Sequence, residues 1–297
     1  MTPAQAPEVM RIGQARLTAG LDRFGRIDLA THQEIFGTLR RLQAAPLIEL
    51  ADGVDLRGRG GAAFPFATKL RAVRTAAATR KCKPVILVNG SEGEPGSAKD
   101  AMLLLRSPYL VLSGALLAAR ALGARKIVVG VAEGGQAAAS AAGAARAEPQ
   151  LKSLVRVVEV PDRFVSGEGG ALVNAVNGHT PLPPGRKRPA SDSGVDGLPT
   201  LLSNAETFAQ LAVLGLLGAD GYASAGTPGE PGTLLLTVGG SAARPAVVEV
   251  PAGIPLGTVL DIKEGDEDRQ PDSPEQSLYH WLTYLQGEAI DALAGEL

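Results

Sequence analysis

Short runs of branched apolar residues alternate along this chain with longer stretches of mixed character. Pro84-Val-Ile-Leu-Val-Asn89, Lys126-Ile-Val-Val-Gly-Val131 and Leu154-Val-Arg-Val-Val-Glu-Val160 are bounded by turn residues and read as buried strands. Between them lie helical patterns. Residues 65–78 open on Pro65, residues 99–122 carry a break near Ser107-Pro108, and residues 136–147 are rich in alanine. Upstream, residues 32–42 read as a short helix, and another opens at Pro46 and ends at Gly53, while residues 1–30 show no strong periodicity. Downstream, Glu168 begins a helix through Asn177, residues 179–199 form a loop rich in Pro and Gly, and residues 204–215 read as a further helix. Strands that alternate with helices need crossovers. The expected class is therefore α/β: a Rossmann-like, mostly parallel sheet with helices on both faces.

The pattern then changes twice. Residues 233–238 and 246–250 look like paired strands of a small β-rich unit. From Asp261 the chain turns acidic and polar, a composition that favours disorder, before residues 277–297 resume an amphipathic helical pattern around Trp281. Four segments are expected: a helical one over 1–50, the α/β domain over 51–228, the β-rich unit over 229–260 and a tail over 261–297.

Composition narrows the classes. At 45% hydrophobic and 4% aromatic, the 297 residues support a globular core built on aliphatic side chains. A net charge of −2 supplies no basic field for nucleic acid or anionic lipid, and the cluster from Gly185 to Arg188 is local. The longest apolar run, residues 109–119, falls short of the ~20 residues that span a bilayer, and the first residues lack the pattern of a signal peptide. A cytoplasmic location without a membrane span is expected. His32, His179 and His280 have no ligand spacing, so no metal site is expected, and Cys82 reads as an inert thiol. One cysteine excludes an intrachain disulfide and cannot ligate an iron–sulfur cluster, which typically takes four thiolates.

Candidate chemistry sits in two loops. In the first, Gly58, Gly60 and Gly61 let backbone N–H groups approach a ligand closely, while Arg57, Arg59 and Lys69 bring positive charge. A phosphate needs both. The second, Asn89-Gly-Ser-Glu-Gly-Glu-Pro-Gly96, leaves the end of the first clear strand, where open α/β sheets bind ligands. A carboxylate repels phosphate but suits ribose hydroxyls, so Glu92 and Glu94 read as sugar or ring contacts. Each of these residues also has a plain structural reading. The cations fit a solvated loop, the glutamates fit a turn shaped by Pro95 and Gly96, and Glu168, Asn204 and Glu206 fit helix ends, with Thr207 inside a helix.

Four motifs in order resemble the FMN- and NADH-binding subunit of respiratory complex I and its soluble hydrogenase and formate dehydrogenase relatives. The family's G-R-G-G-A-G-F-P-x-x-x-K loop corresponds to residues 58–69 and its N-x-D-E-G-E-P-G loop to residues 89–96. Y-x-C-G-E-E corresponds to residues 164–169, and P-T-x-x-N-N-x-E-T to residues 199–207. The resemblance implies hydride transfer from NADH to FMN, followed by electron transfer to a partner subunit that carries iron–sulfur clusters. It also implies attachment at the membrane periphery through partners. On it, Gly58, Arg59, Gly60 and Lys69 would hold the FMN phosphate region, with Asn89, Ser91, Glu92, Phe164, Gly167, Ser203, Asn204 and Thr207 around the cofactor. Phe64 would stack against NADH, and Glu94 and Glu168 would orient NADH and flavin. The β-rich unit would be the start of the family's SLBB domain, ubiquitin-like in shape.

Departures from the family pattern are concentrated on the ring side. Ser91 stands for Asp, Ser203 for the first Asn, Phe164 for Tyr and Ser166 for Cys. Gly169 and Gly170 replace the second Glu and the small hydroxyl residue after it, and Ala63 replaces a Gly. A flavin-dependent NADH dehydrogenase subunit is thus the leading expectation. A non-catalytic scaffold or accessory subunit is the alternative, and a ligand-binding module built on the residual SLBB unit is a third.

Overall fold

The computed structural model describes residues 7–94, 96–185, 188–240 and 244–260. The acidic segment and helix expected beyond residue 260, with His280 and Trp281, lie outside the described residues, as does Pro95. In chain order the elements are β1 (Glu8–Arg11), α1 (Leu29–Phe36), α2 (Ala44–Gly53), α3 (Phe66–Thr79), β2 (Val85–Gly90), α4 (Lys99–Arg106), α5 (Pro108–Leu122), β3 (Lys126–Ala132), α6 (Gln136–Ala147) and α7 (Pro149–Lys152). There follow β4 (Val155–Val160), a short 3-10 turn (Phe164–Gly167), α8 (Gly169–Val176), β5 (Thr200–Asn204) and α9 (Ala205–Ala223). The chain then forms β6 (Gly226–Thr227), β7 (Glu230–Pro231), β8 (Thr233–Val238), β9 (Ala246–Pro251) and α10 (Leu256–Leu260).

The main sheet has the order β4-β3-β2-β5, and every pairing is parallel. Its middle strands are apolar along most of their length because both faces are covered. Ile86, Val88, Ile127 and Val129 point into the large core formed with α2, α3, α5 and α9. Their neighbours Val85, Leu87 and Val128 point the other way, to Leu172 of α8 and to Val195. This is the expected α/β class. The sequence reading missed β5, whose Thr200 and Ser203 are polar yet buried.

Helices α5 and α9 meet at a seam of small residues. A Cβ on Gly114 would stand 1.8 Å from the carbonyl oxygen of Phe208, so only glycine allows this approach. No single described helix is long and apolar enough to cross a membrane; α4 and α5 reach that length only together, and they bend by 95°.

A second sheet, ordered β1-β9-β8, contains the expected hairpin of β8 and β9 plus an unforeseen parallel strand from the N-terminal segment. The physical reason is Glu249, in the middle of β9 and fully buried. Its carboxylate accepts hydrogen bonds from the amides of Arg16, Leu17 and Thr18 and from the hydroxyls of Thr18 and Thr233, at 2.6–3.2 Å. Those donors satisfy a charge that would otherwise be costly to bury. They also fix the 16–18 turn beside β1.

Candidate functional site

Strand β2 connects onward to β3 on one side, and the chain returns after β4 to lay β5 on its other side. The crevice outside the carboxyl ends of β2 and β5 is therefore the topological switch point, where open α/β sheets take ligands. Loop 91–96 leaves β2 there, and Asn204 ends β5 there.

The 58–69 loop closes over this crevice. A bridge between Arg57 and Pro65, with the bonds from Gly58 N–H to Phe64 C=O (3.0 Å) and from Phe66 N–H to Leu56 C=O (2.8 Å), pinches its base. The amides of Gly60, Gly61, Ala62 and Ala63 at its tip donate no hydrogen bond among the described residues. Arg59 N–H donates to the Thr207 hydroxyl at 2.9 Å, and Gly60 lies against the Asn204 side chain. Ala63 takes φ +45°, the left-handed region that favours glycine, which gives a physical basis for the glycine of the family pattern.

The three cations of this loop fare differently. Arg57 pairs with Asp55 at 2.6 Å on the surface. Arg59 pairs with Glu230 of β7 at 2.8 Å, its side chain only 12% exposed. Burial opposes the Arg59 charge, but Glu206, Tyr222 and Glu230 outweigh it and raise its pKa. Lys69 has no carboxylate partner among the described residues: its ammonium donates to Leu202 C=O at 3.1 Å and lies 5.7 Å from the centre of the Phe64 ring. Burial pushes its pKa down.

Loop 89–96 is stitched to the 3-10 turn that precedes α8. Asn89 Nδ2 donates to Gly167 C=O (2.8 Å), and the Ser91 hydroxyl is placed to donate to Asn89 Oδ1 (2.8 Å) and Ser166 C=O (3.1 Å). Gly93 and Gly167 stack backbone on backbone; a Cβ on Gly167 would stand 2.4 Å from Gly93 N. The buried Ser166 hydroxyl has no partner among the described residues. Glu92 caps α4, accepting from the Ser97 hydroxyl and from the amides of Asp100 and Ala101 (both 3.1 Å). Glu168 caps α8, accepting from Ala171 N–H at 2.8 Å. Asn204 caps α9 through Thr207 N–H at 3.1 Å, and Ser203 is buried beside it. Glu94 is exposed. Phe64 and Phe164 are 45% and 67% exposed, whereas Phe66 and Phe208 are fully buried, so two aromatic faces flank the crevice.

Sequence reasoning missed Lys99 and Asp100. Asp100 accepts from Glu206 N–H (2.7 Å) and Asn204 Nδ2 (3.3 Å), and the Lys99 ammonium pairs with Asp100 and Glu206, both at 3.0 Å. Burial alone would lower the Lys99 pKa, but Asp100, Glu206 and Glu92 outweigh it and keep the ammonium charged. Burial, then the proximity of Asp100, raises the Glu92 pKa. The only sequence signal was a Lys-Asp pair directly after the Glu-rich loop, which read as a helix start. His32 is buried between the Phe36 and Tyr109 rings, which pushes its pKa down to about 4. Among the described residues no group of three or more His, Cys, Asp or Glu side chains is placed to hold a metal.

Comparison with known proteins places this geometry. The Nuo51 FMN-binding domain (Complex1_51K) matches residues 52–213. The NAD-reducing hydrogenase HoxS subunit alpha of Cupriavidus necator is 31% identical over 254 residues, covering 80% of this chain and 40% of that protein. A subunit of the NADH-quinone oxidoreductase of Mycobacterium tuberculosis is 30% identical over 235 residues, covering 74% of this chain and 52% of that protein. The crystal structure of an NAD+-reducing [NiFe]-hydrogenase in the air-oxidized state superposes with a TM-score of 0.72 at 29% identity, over 86% of this chain and 44% of that one. The chain thus spans about half the length of these relatives or less. With the matched segment running from the end of α2 through the 58–69 loop and β5 into the first half of α9, the chain belongs to the Nuo51 FMN-binding domain family.

Proposed function

We propose that this chain binds FMN in the crevice between β2 and β5 and serves as the NADH-oxidising flavin component of an electron-transfer assembly. The observation that carries this reading is Lys69, a part-buried ammonium held by one carbonyl and one aromatic face, with no carboxylate partner among the described residues. A phosphate monoester brings about −1.5 to −2 charge and acceptor oxygens, which complement such a cation and the amides at the loop tip. The donor set fits the group on that side.

Under this reading Gly58, Gly60 and Lys69 hold the phosphate. Asn89, Ser91, Gly167, Ser203, Asn204 and Thr207 line the crevice, while Glu92 and Glu168 fix its walls by capping α4 and α8. The exposed rings of Phe64 and Phe164 offer stacking faces for a nicotinamide nucleotide, and exposed Glu94 offers an acceptor for its ribose hydroxyls. Bound FMN would supply hydride acceptance from NADH and one-electron release. Onward transfer calls for a partner protein with iron–sulfur clusters, since Cys82 is the one thiol in this sequence. The relatives named as subunits of a hydrogenase and of a quinone oxidoreductase support such a setting, with this chain peripheral to any membrane. The β1-β9-β8 sheet is read as the opening of an SLBB unit.

Ring-side features favour a second reading, a scaffold that keeps the fold without efficient chemistry. Gly169 brings no side chain to the crevice, and a Cβ on Gly170 would stand 2.7 Å from Pro184 Cδ. Absorbance of the purified chain separates the two readings. Bands near about 370 and about 450 nm, bleached by NADH, support the flavin component. A colourless chain that takes up no added FMN supports the scaffold.

A further inference from the structure

We infer that Arg59 and Glu230 form a strut that holds the 58–69 loop in its binding shape, so that Lys69 alone among this loop's cations meets the flavin phosphate. The inference rests on the FMN reading above and assigns Glu230, outside the matched family segment, a positioning role. Arg59 is attached at two points: its amide to Thr207 of α9 at 2.9 Å, and its guanidinium to Glu230 at 2.8 Å. The guanidinium is enclosed, with Nε buried and without a partner among the described residues, and it sits among Glu206, Tyr222 and Glu230. An arginine so neutralised and covered has little net charge to offer an incoming anion. Freeing it would leave Glu230 unpaired, and breaking a largely enclosed ion pair is costly. Arg57 is likewise matched by Asp55, whereas Lys69 has no carboxylate partner among the described residues.

The strut joins parts of the chain that are 171 residues apart. Its guanidinium end lies on the β6–β7 hairpin, directly before β8, so the small sheet and the glycine loop are braced together. The loop has few other restraints at its tip, where four consecutive amides lack partners among the described residues. Loss of the strut therefore affects loop order, and every part of the ligand feels it. Loss of Lys69 affects charge, and only the phosphate feels it.

The test uses the full chain and two ligands that differ by the phosphate alone, FMN and riboflavin, with dissociation constants read from flavin fluorescence. Glu230→Gln, Arg59→Met and Lys69→Met are compared, with hydrogen exchange at the bonded amides of Gly58, Arg59 and Phe66 measured in the flavin-free chain. Glu230→Gln and Arg59→Met should weaken FMN and riboflavin by the same factor and speed exchange at these amides, and the double variant should be no worse than the weaker single. Lys69→Met should weaken FMN about ten- to a hundred-fold, leave riboflavin unchanged and leave exchange unchanged. Tighter FMN binding by Glu230→Gln, or an Arg59→Met loss confined to FMN, would overturn the strut, because Arg59 would then be a phosphate ligand restrained by Glu230. If the wild type binds neither flavin, the FMN reading fails. The exchange data still decide the strut: unchanged exchange in both Arg59→Met and Glu230→Gln refutes it.

Discussion

Restoring the family's aspartate at position 91 should harm this chain, and the structure says by how much. Ser91 is buried, and its hydroxyl is placed to donate to Asn89 Oδ1 at 2.8 Å and Ser166 C=O at 3.1 Å. An ionised carboxylate in its place would present acceptors to both oxygens. Asn89 cannot simply turn its amide to help, since Nδ2 is committed to Gly167 C=O. Losing the donor leaves the Ser166 carbonyl as a buried acceptor facing a charge, at roughly 1–3 kcal/mol, and adds repulsion at Asn89 Oδ1, which keeps only the N–H of residue 91 at 3.2 Å. The chain can instead keep the carboxyl protonated, so that it donates as serine does. At pH 7 that costs about 1.36 kcal/mol for each unit above an ordinary pKa near ~3.9, about 4 kcal/mol in all. The cheaper route sets the penalty, so Ser91→Asp should lose about 2–4 kcal/mol at pH 7.

The sign of its pH dependence follows. The folded-state pKa of the introduced carboxyl is raised, so the folded chain holds a proton that the unfolded chain releases, and the variant's deficit grows as pH rises above ~3.9. At pH 5 protonation costs only about 1.5 kcal/mol, and the deficit shrinks to that size. Urea unfolding of both proteins at pH 5 and pH 7 measures the difference. A deficit that is absent at pH 7, or equal at the two pH values, would refute this account of the site.

Three further outcomes are expected. Ala63→Gly should raise stability by about 1 kcal/mol, seen as a higher urea midpoint, because Ala63 sits at φ +45°. Ser166→Ala should also stabilise, by about 1 kcal/mol, since it removes a buried hydroxyl without a partner among the described residues; a loss would mean that the hydroxyl is satisfied in solution. Burial lowers the Lys69 pKa below its ordinary 10.5, so the unfolded chain holds the extra proton between the two values and stability gained from this residue rises with pH across that window. FMN affinity should fall as pH rises through the lowered value, and Lys69→Met should flatten that dependence in a fluorescence titration.

What the sequence disclosed was what short-range patterns encode. Residues 136–147 matched α6, and Ser107-Pro108 marked the break between α4 and α5, because a proline at a helix start removes a donor the helix does not need. The first helix was placed at 32–42 although α1 begins at Leu29, where Asp28 accepts from Thr31 N–H at 2.8 Å. The hairpin of β8 and β9 was visible in its branched residues, but β1 was not, because its pairing depends on a partner near the other end of the described chain. In the site, residues 58–69 and 89–96 were legible as loops, and their closeness was not. Glu92 looked like a ligand contact because the helix it caps begins only at Lys99, beyond a proline and a glycine. The partners of Arg59 and Lys99 lie on other elements, and no local spacing points to them.

The five-donor grip of Glu249 has a consequence for how the chain comes together during synthesis. Thr18 and Glu249 are 231 residues apart, so the β1 segment, made well before its partner, must wait for the last described strand before it has an edge to join. Closing a loop that long brings an entropic cost and makes the contact a late one. Until then the amides of Arg16, Leu17 and Thr18 have only water to bond. A cut or deletion ahead of residue 16 should therefore act at the far end of the molecule, loosening β9 from the N-terminal side while the parallel sheet, assembled from nearer neighbours, stays intact.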